Sequence, residues 1–298
     1  MWLDWGPLPP LRRGLLTSPL REWQARRALS AGWEARYGDG AGGPSDARHG
    51  LFVSLTSYRP RFEFLALTLR SLLLQDLRPE AVLLWIGHDD IDAVPSEVWE
   101  LEPFGLHIIA CDDHGSHTKY VHALREFPHA DIAICDDDTW YPPDWLGRLV
   151  AAQRPGEVPC HRVHRIALDD VGVPLGYRSW THDIEGPGAS PCHFPTGVGG
   201  VLLRADRLHP QVLDMHEARR LCPTADDIWL YFMGRLAGTR FSHTGWTDPL
   251  VTWGGSQATA LWKRNVAERG NDRCLAAMLH RFGPRVVLDG AAELVRAA

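Results

Sequence analysis

A mostly parallel α/β sheet flanked by helices is the fold class this sequence predicts, and three observations predict it. From Gly50 onward, apolar runs of strand length alternate with segments of helical periodicity, the pattern that builds parallel sheets with crossover helices. The runs end in polar clusters, Thr56-Ser57-Tyr58, Gly87-His88-Asp89-Asp90, Asp112-Asp113 and Asp136-Asp137-Asp138, and ligands collect at the carboxyl ends of strands in such sheets. The longest apolar runs, such as Val82-Leu83-Leu84-Trp85-Ile86, fall far short of the roughly 18 to 20 residues a bilayer span needs.

Taken in order, residues 1–49 read as an N-terminal extension. Pro7, Pro9, Pro10, Pro19 and the glycine-rich stretch 38–44 interrupt regular structure there. Between them a helix is expected over residues 19–37, carrying Leu20, Trp23, Ala28 and Trp33 beside Arg21, Arg26, Arg27 and Arg36. It either packs on the main domain or lies on a membrane surface or a partner. The main domain, residues 50–255, opens with a strand at 51–56, a helix at 62–75 with Leu65, Leu69, Leu72 and Leu73 on one face, and a strand at 81–86. A strand at 106–110, a helix at 118–127 and a strand at 131–135 follow. Further strands are expected near 162–167 and 198–204 and a helix at 225–237. Helices at 257–268 and 272–281 belong to a C-terminal segment, residues 256–298, that packs on or closes over the site.

Of the 298 residues 45% are hydrophobic and 23% charged, the mixture of an ordinary globular domain. A net charge of -6 argues against general nucleic-acid binding, which rests on neutralising phosphates. Residues 1–50 stand apart, with seven Arg against five acids. Cys111, Cys135, Cys160, Cys192, Cys222 and Cys274 form no Cys-x-x-Cys pair, which suits reduced thiols. Met1-Trp2-Leu3-Asp4-Trp5 has an acid where a secretory signal has basic residues. The expected compartment is cytoplasmic, with peripheral contact to the inner face of a membrane through residues 1–48 left open.

Three patterns carry candidate chemistry. Asp136, Asp137 and Asp138 follow an apolar strand directly; adjacent carboxylates repel unless a cation neutralises them, and Mn²⁺ or Mg²⁺ prefers oxygen ligands. The alternative is a solvated acidic turn. Asp226 and Asp227 open a helical segment after Thr224, where acids also serve simply as caps and dipole partners. Lys119, one of two lysines in the chain, stands where a loop enters a helix, a setting for a diphosphate or for a surface lysine. Gly199 and Gly200, within Thr196-Gly197-Val198-Gly199-Gly200, let backbone approach a ligand or make a tight turn. The tryptophans, Trp229 among them, fit a sugar-binding cleft or a core.

Over residues 50–240 these features resemble GT-A fold glycosyltransferases, especially family 2 and its relatives. The acidic triplet is similar to their Asp-x-Asp motif. The strand with Ser54-Leu55-Thr56-Ser57-Tyr58 and the helix ending Leu72-Leu73-Leu74-Gln75 resemble the family's first strand and helix, about eighty residues ahead of the triplet. The sequel Trp140-Tyr141-Pro142-Pro143-Asp144-Trp145-Leu146 looks like the family's continuation, and Ala225-Asp226-Asp227-Ile228-Trp229-Leu230 like its acidic pair.

The resemblance implies a GT-A (Rossmann-like) domain that moves a sugar from a nucleoside-diphosphate donor, uridine diphosphate by default, to a glycan, lipid-linked or small hydroxyl acceptor. It implies inversion and a need for Mn²⁺ or Mg²⁺. On it, Asp138 and Asp136 hold the metal, with His243 as a further ligand against which His193 and His280 compete. Asp136 and Asp137 face the donor, as do Thr56, Tyr58, Asp89 and Lys119. Asp227 is the base, with Asp226 beside it, and Gly199, Gly200 and Trp229 line the donor sugar or acceptor. The family's aspartate after the second strand is displaced here to Asp89 or Asp90, which leaves the base of the nucleotide open.

Other classes lack their signatures. Cys160-His161-x-x-His164 and Cys192-His193 do not repeat as zinc clusters do. No Gly-x-Ser-x-Gly elbow and no Gly-x-Gly-x-x-Gly loop is present. A sugar-nucleotide nucleotidyltransferase, a non-catalytic nucleotide- or carbohydrate-binding protein and a metal-dependent phosphohydrolase remain as competitors.

Overall fold

The computed structural model describes residues 19–38, 47–254 and 270–289. Its strands are β1 (Arg48–Ser57), β2 (Pro79–Gly87), β3 (Leu106–Cys111), β4 (Asp131–Ile134), β5 (Thr139–Trp140), β6 (Glu157–Cys160), β7 (Val163–Arg165), β8 (Gly188–Ser190), β9 (His193–Pro195), β10 (Val201–Leu203), β11 (Arg240–His243) and β12 (Val251–Thr252). Its helices are α1 (Pro19–Tyr37), α2 (Leu65–Leu73), α3 (Ser96–Trp99), α4 (Thr118–Glu126), α5 (Trp145–Ala151), α6 (Met215–Leu221), α7 (Asp226–Leu236), α8 (Gly270–Phe282) and α9 (Val286–Asp289).

Eight strands form one sheet in the order β3-β2-β1-β4-β10-β6-β11-β8. β1 pairs parallel with β2 and β4, and β2 with β3, whereas β10 runs antiparallel to both of its neighbours and β8 antiparallel to β11. The sheet is therefore mostly parallel and covered on both faces. Leu51, Val53 and Leu55 of β1 share a core with α2 on one side, and on the other Phe52 stacks on Phe127, just past α4. Burial on both faces is why these strands read as continuous apolar runs rather than as alternating ones.

Several boundaries differ from those the sequence suggests. The helix expected at 62–75 is a 3-10 turn, Arg59–Phe64, with Pro60 at its start, followed by α2. Within 198–204 only Val201–Leu203 joins the sheet, because Gly197–Gly199 form a tight turn ahead of it. The helix expected at 257–268 lies outside the described residues. No helix among the described residues is long and apolar enough to cross a membrane.

Helix α1 packs on the domain through Ala25, Leu29 and Tyr37, with Leu20 and Trp23 exposed. Its last turn reaches the end of α2, where Tyr37 Oη donates to Leu73 O (3.1 Å) and Arg36 to Gln75 O (3.0 Å). Gln75 carries the connection onward. Its buried amide donates to Pro142 O (2.9 Å) and Ser71 O (3.1 Å) and accepts from Leu146 N–H (2.9 Å). Gln75 thus ties the loop after the acidic triplet to α2, beside the bonds from Asp76 N–H to Pro143 O (2.8 Å) and from Tyr141 N–H to Ser71 Oγ (3.2 Å).

Replacing Gln75 by leucine keeps the volume but leaves the Leu146 N–H and the Pro142 carbonyl without this partner. An unsatisfied buried group costs about 1–3 kcal/mol. Gln75→Leu is expected to lower the melting midpoint by several degrees in a thermal melt; an unchanged midpoint would refute this role.

Candidate functional site

The site lies where β1 and β4 end side by side. Ser54 pairs with Ile134, so the residues that follow each strand emerge together. Ser57 Oγ donates to Asp137 Oδ2 (2.6 Å). The 3-10 turn after β1 then brings Arg61 over the triplet, its Nε 3.0 Å from Asp137 Oδ1 and its Nη2 2.5 Å from Asp138 Oδ2. Asp136 N–H donates to Tyr141 Oη (2.9 Å), and Trp253 N–H to Asp138 O (3.1 Å), which fixes the backbone of the acidic loop on both sides.

The second half of the cluster comes from α4 and α7. Lys119, on the first turn of α4 and 6% exposed, points its ammonium at Asp136 Oδ1 (2.8 Å) and Asp226 Oδ2 (3.0 Å). Asp227 Oδ1 accepts from Gly197 N–H (2.9 Å). Ala225 occupies the cap position of α7 without a side-chain cap bond, so the two acids are turned inward instead of serving as caps. His117 holds the helices at this spacing: its Nε2 reaches Cys222 O and its Nδ1 reaches Tyr120 Oη, both at 2.7 Å. A carbonyl can only accept, so Nε2 carries the proton and Nδ1 accepts from tyrosine. Burial lowers the pKa of this ring, consistent with the neutral form.

Among the described residues, five carboxylates, Asp136, Asp137, Asp138, Asp226 and Asp227, therefore gather around two cations, Arg61 and Lys119. Arg162 adds charge from nearby while paired with Asp183 (2.6 Å). The imbalance shows in the titration of the acids. Burial works against the charge of Lys119, but Asp136 and then Asp226 and Asp227 outweigh it and hold its pKa well above the ordinary value. Asp136, buried but paired with Lys119, stays below the usual carboxylate range. Asp137 is pushed up to about 7 by burial, with Arg61 opposing and the charge of Asp138 adding. Asp227 is pushed up to about 8 by burial and then by Asp226, with Lys119 opposing.

Glycine roles divide sharply. A side chain at Gly197 would meet Lys119 Nζ at 2.9 Å and Asp227 Oδ1 at 3.1 Å, so this is the glycine that faces the cluster. Gly199 and Gly200 have no room for a side chain. A Cβ at Gly199 would strike Arg162 Cβ at 2.6 Å, and one at Gly200, whose φ is +104°, would strike the Trp145 ring at 2.6 Å. Both serve packing, and the carbonyl of Gly199 accepts from Trp145 Nε1 (2.8 Å).

The surroundings of three more expected site residues are defined. His243 is buried with Nδ1 against Gly186 O (2.7 Å) and Nε2 against His161 O (2.9 Å), so both nitrogens are taken by backbone. Trp229 is fully buried in the core and donates to Val212 O (3.2 Å). Lys119, expected beside the donor diphosphate, is paired with Asp136 and Asp226. Of the residues expected to face the donor, Thr56 donates from Oγ1 to Trp85 O (2.8 Å), Tyr58 is 40% exposed, and Asp89 is exposed. It is Asp90 that accepts from Arg59 N–H (3.1 Å). At the far side, Asp272 of α8 accepts from Tyr177 N–H (2.7 Å). Ser57, Arg61, Arg162 and Gly197 were not singled out by sequence; a basic Arg59-Pro60-Arg61 directly after the first strand was the signal for Arg61.

No protein-family model matches the chain, and no curated protein does. Among solved structures it is similar to the mannosyltransferase PcManGT from Pyrobaculum calidifontis in complex with GDP-Man and Mn²⁺, at 18% identity and a TM-score of 0.44 over 94% of this chain and 81% of that one. It is also similar to S. aureus TarS 1-349, at 15% identity and a TM-score of 0.47 over 77% of this chain and 70% of that one.

The raised pKa of Asp227 gives stability a sign. An unfolded aspartate has a pKa of about 3.9, so between pH 4 and about 8 the folded protein binds a proton that the unfolded chain does not. Stability falls as pH rises through that window, and Asp137 adds to the fall up to about 7. Asp227→Asn removes one contributor. In chelator, its melting midpoint relative to wild type should climb by several degrees from pH 5 to pH 8.5; a pH-independent difference would contradict the assignment.

Proposed function

We propose that this chain is a glycosyltransferase, moving a sugar from a nucleoside-diphosphate donor to a hydroxyl acceptor with inversion at the anomeric carbon. The observation that carries the reading is the gathering of buried carboxylates where β4 ends and α7 begins, five acids against two cations among the described residues. It coincides with the motifs that resemble the family 2 glycosyltransferases.

The site suits a hard divalent cation, because every donor offered is a carboxylate oxygen and, among the described residues, the acids outnumber the cations that touch them. Asp138 and Asp136 would hold the ion, which when bound would offset the charge that develops on the leaving diphosphate. The remaining roles belong to the chain. Asp227 takes the proton of the acceptor hydroxyl at a carboxylate oxygen, and a pKa near 8 makes it a stronger base than an ordinary aspartate. Gly197 N–H fixes the rotamer of that carboxylate. Lys119 keeps Asp136 ionised and limits how far the pKa of Asp227 rises. Tyr58, which is exposed, is available to stack on the nucleotide base, and uridine is the base the resemblance favours.

Ligands that bind only the folded state raise its melting midpoint. With UDP, GDP, ADP or CMP, each with and without Mn²⁺, one nucleoside diphosphate is expected to raise the midpoint only in the presence of the ion, and Asp138→Asn is expected to lose the shift. No shift with any nucleotide would sink the reading. For Asp227→Asn the shift should persist while transfer falls about 10²-fold or more, the scale of a lost general base.

A further inference from the structure

Arg61 occupies Asp138, one of the two carboxylates that would hold a divalent cation, together with its neighbour Asp137. Its guanidinium spans two residues of the triplet, with Nε 3.0 Å from Asp137 Oδ1 and Nη2 2.5 Å from Asp138 Oδ2. All three side chains are largely withdrawn from solvent, at 13%, 6% and 9% exposure. Asp137 is held from the other side by Ser57, so the acidic loop is already ordered and partly neutralised by protein alone. A guanidinium cannot lose its charge near neutral pH, and at this distance, shielded from water, it repels any second cation brought to Asp138.

From this arrangement we infer that Arg61 is a positioning residue that makes metal binding conditional on the donor. It presets Asp138 and lowers the affinity of the site for a bare divalent ion. The negative diphosphate supplies the charge that lets ion and guanidinium coexist. The metal then enters with the nucleotide rather than before it. The inference rests on the proposed donor site and adds an order of binding to it.

The experiment titrates Mn²⁺ alone and Mn²⁺ with UDP or GDP into wild type, Arg61→Met and Arg61→Lys. Free ion is followed by electron paramagnetic resonance, and each variant's fold is checked by circular dichroism. Wild type should bind Mn²⁺ at least about tenfold more weakly alone than with the nucleotide it accepts, as expected when a fixed like charge is unscreened. Arg61→Met should bind bare Mn²⁺ about tenfold more tightly than wild type, with the nucleotide's effect shrinking by a similar factor. Arg61→Lys, which keeps the charge, should resemble wild type for bare Mn²⁺.

Unchanged or weaker bare-ion affinity in Arg61→Met would overturn the inference, as would a lysine variant that behaves like methionine. Equal Mn²⁺ affinity with and without nucleotide in wild type would overturn it without any variant, should Arg61→Met fail to fold. Wild type that binds no Mn²⁺ under either condition would remove the metal-dependent donor site itself, an outcome distinct from the others.

Discussion

The ammonium of Lys119, buried between Asp136 and Asp226, is the contact on which the rest of this cleft depends. Three carboxylates after one strand and two at the start of a helix cannot be withdrawn from water together unless positive charge is supplied. Among the described residues, Lys119 forms ion pairs with both groups. It links the end of the parallel sheet to the first turn of α7 and thereby sets how far apart the triplet and Asp227 stand. Truncating one partner of such a buried pair leaves the others uncompensated, which is costlier than the pair is stabilising. His117, two residues earlier, secures the same junction through Cys222 O.

Support for the cleft runs outward through a chain of small contacts. Arg61 and Ser57 tie the triplet to the end of β1; Gln75 ties the loop beyond the triplet to α2; and α1 ties the end of α2 to the N-terminal extension. Trp253 closes the other side, donating to Thr68 Oγ1 (2.8 Å) while its backbone N–H holds Asp138 O. The N-terminal helix, with little hydrophobic asymmetry to mark its inner face, is thereby part of what keeps the acidic loop in place.

Much of this was legible in the sequence because the relevant signals are local. The apolar runs of β1, β2 and β4 are buried on both faces, and the carboxylates follow directly where a strand ends. The glutamine after Leu72-Leu73-Leu74 could be recognised as part of a motif, although its bonds to the loop at 142–146 could not. What stayed hidden depends on partners remote in sequence. Gly197, Gly199 and Gly200 look alike in the chain, and only the positions of Lys119, Arg162 and Trp145 decide which one faces the acids. His243 reads as a ligand until the carbonyls of Gly186 and His161 are seen to occupy both its nitrogens. Trp229 follows Asp227 by two residues, and the helix turns it about 200° from that carboxylate, into the core.

The central claim is that the surplus carboxylate at the end of β4 is the seat of a divalent cation bound together with a nucleoside diphosphate. Crystals grown with Mn²⁺ and UDP or GDP, with diffraction collected at the manganese edge, test it most directly. The account predicts one strong anomalous peak in contact with Asp138 or Asp136 and with the diphosphate. A nucleotide bound with manganese elsewhere, or a peak that touches neither aspartate, would contradict it.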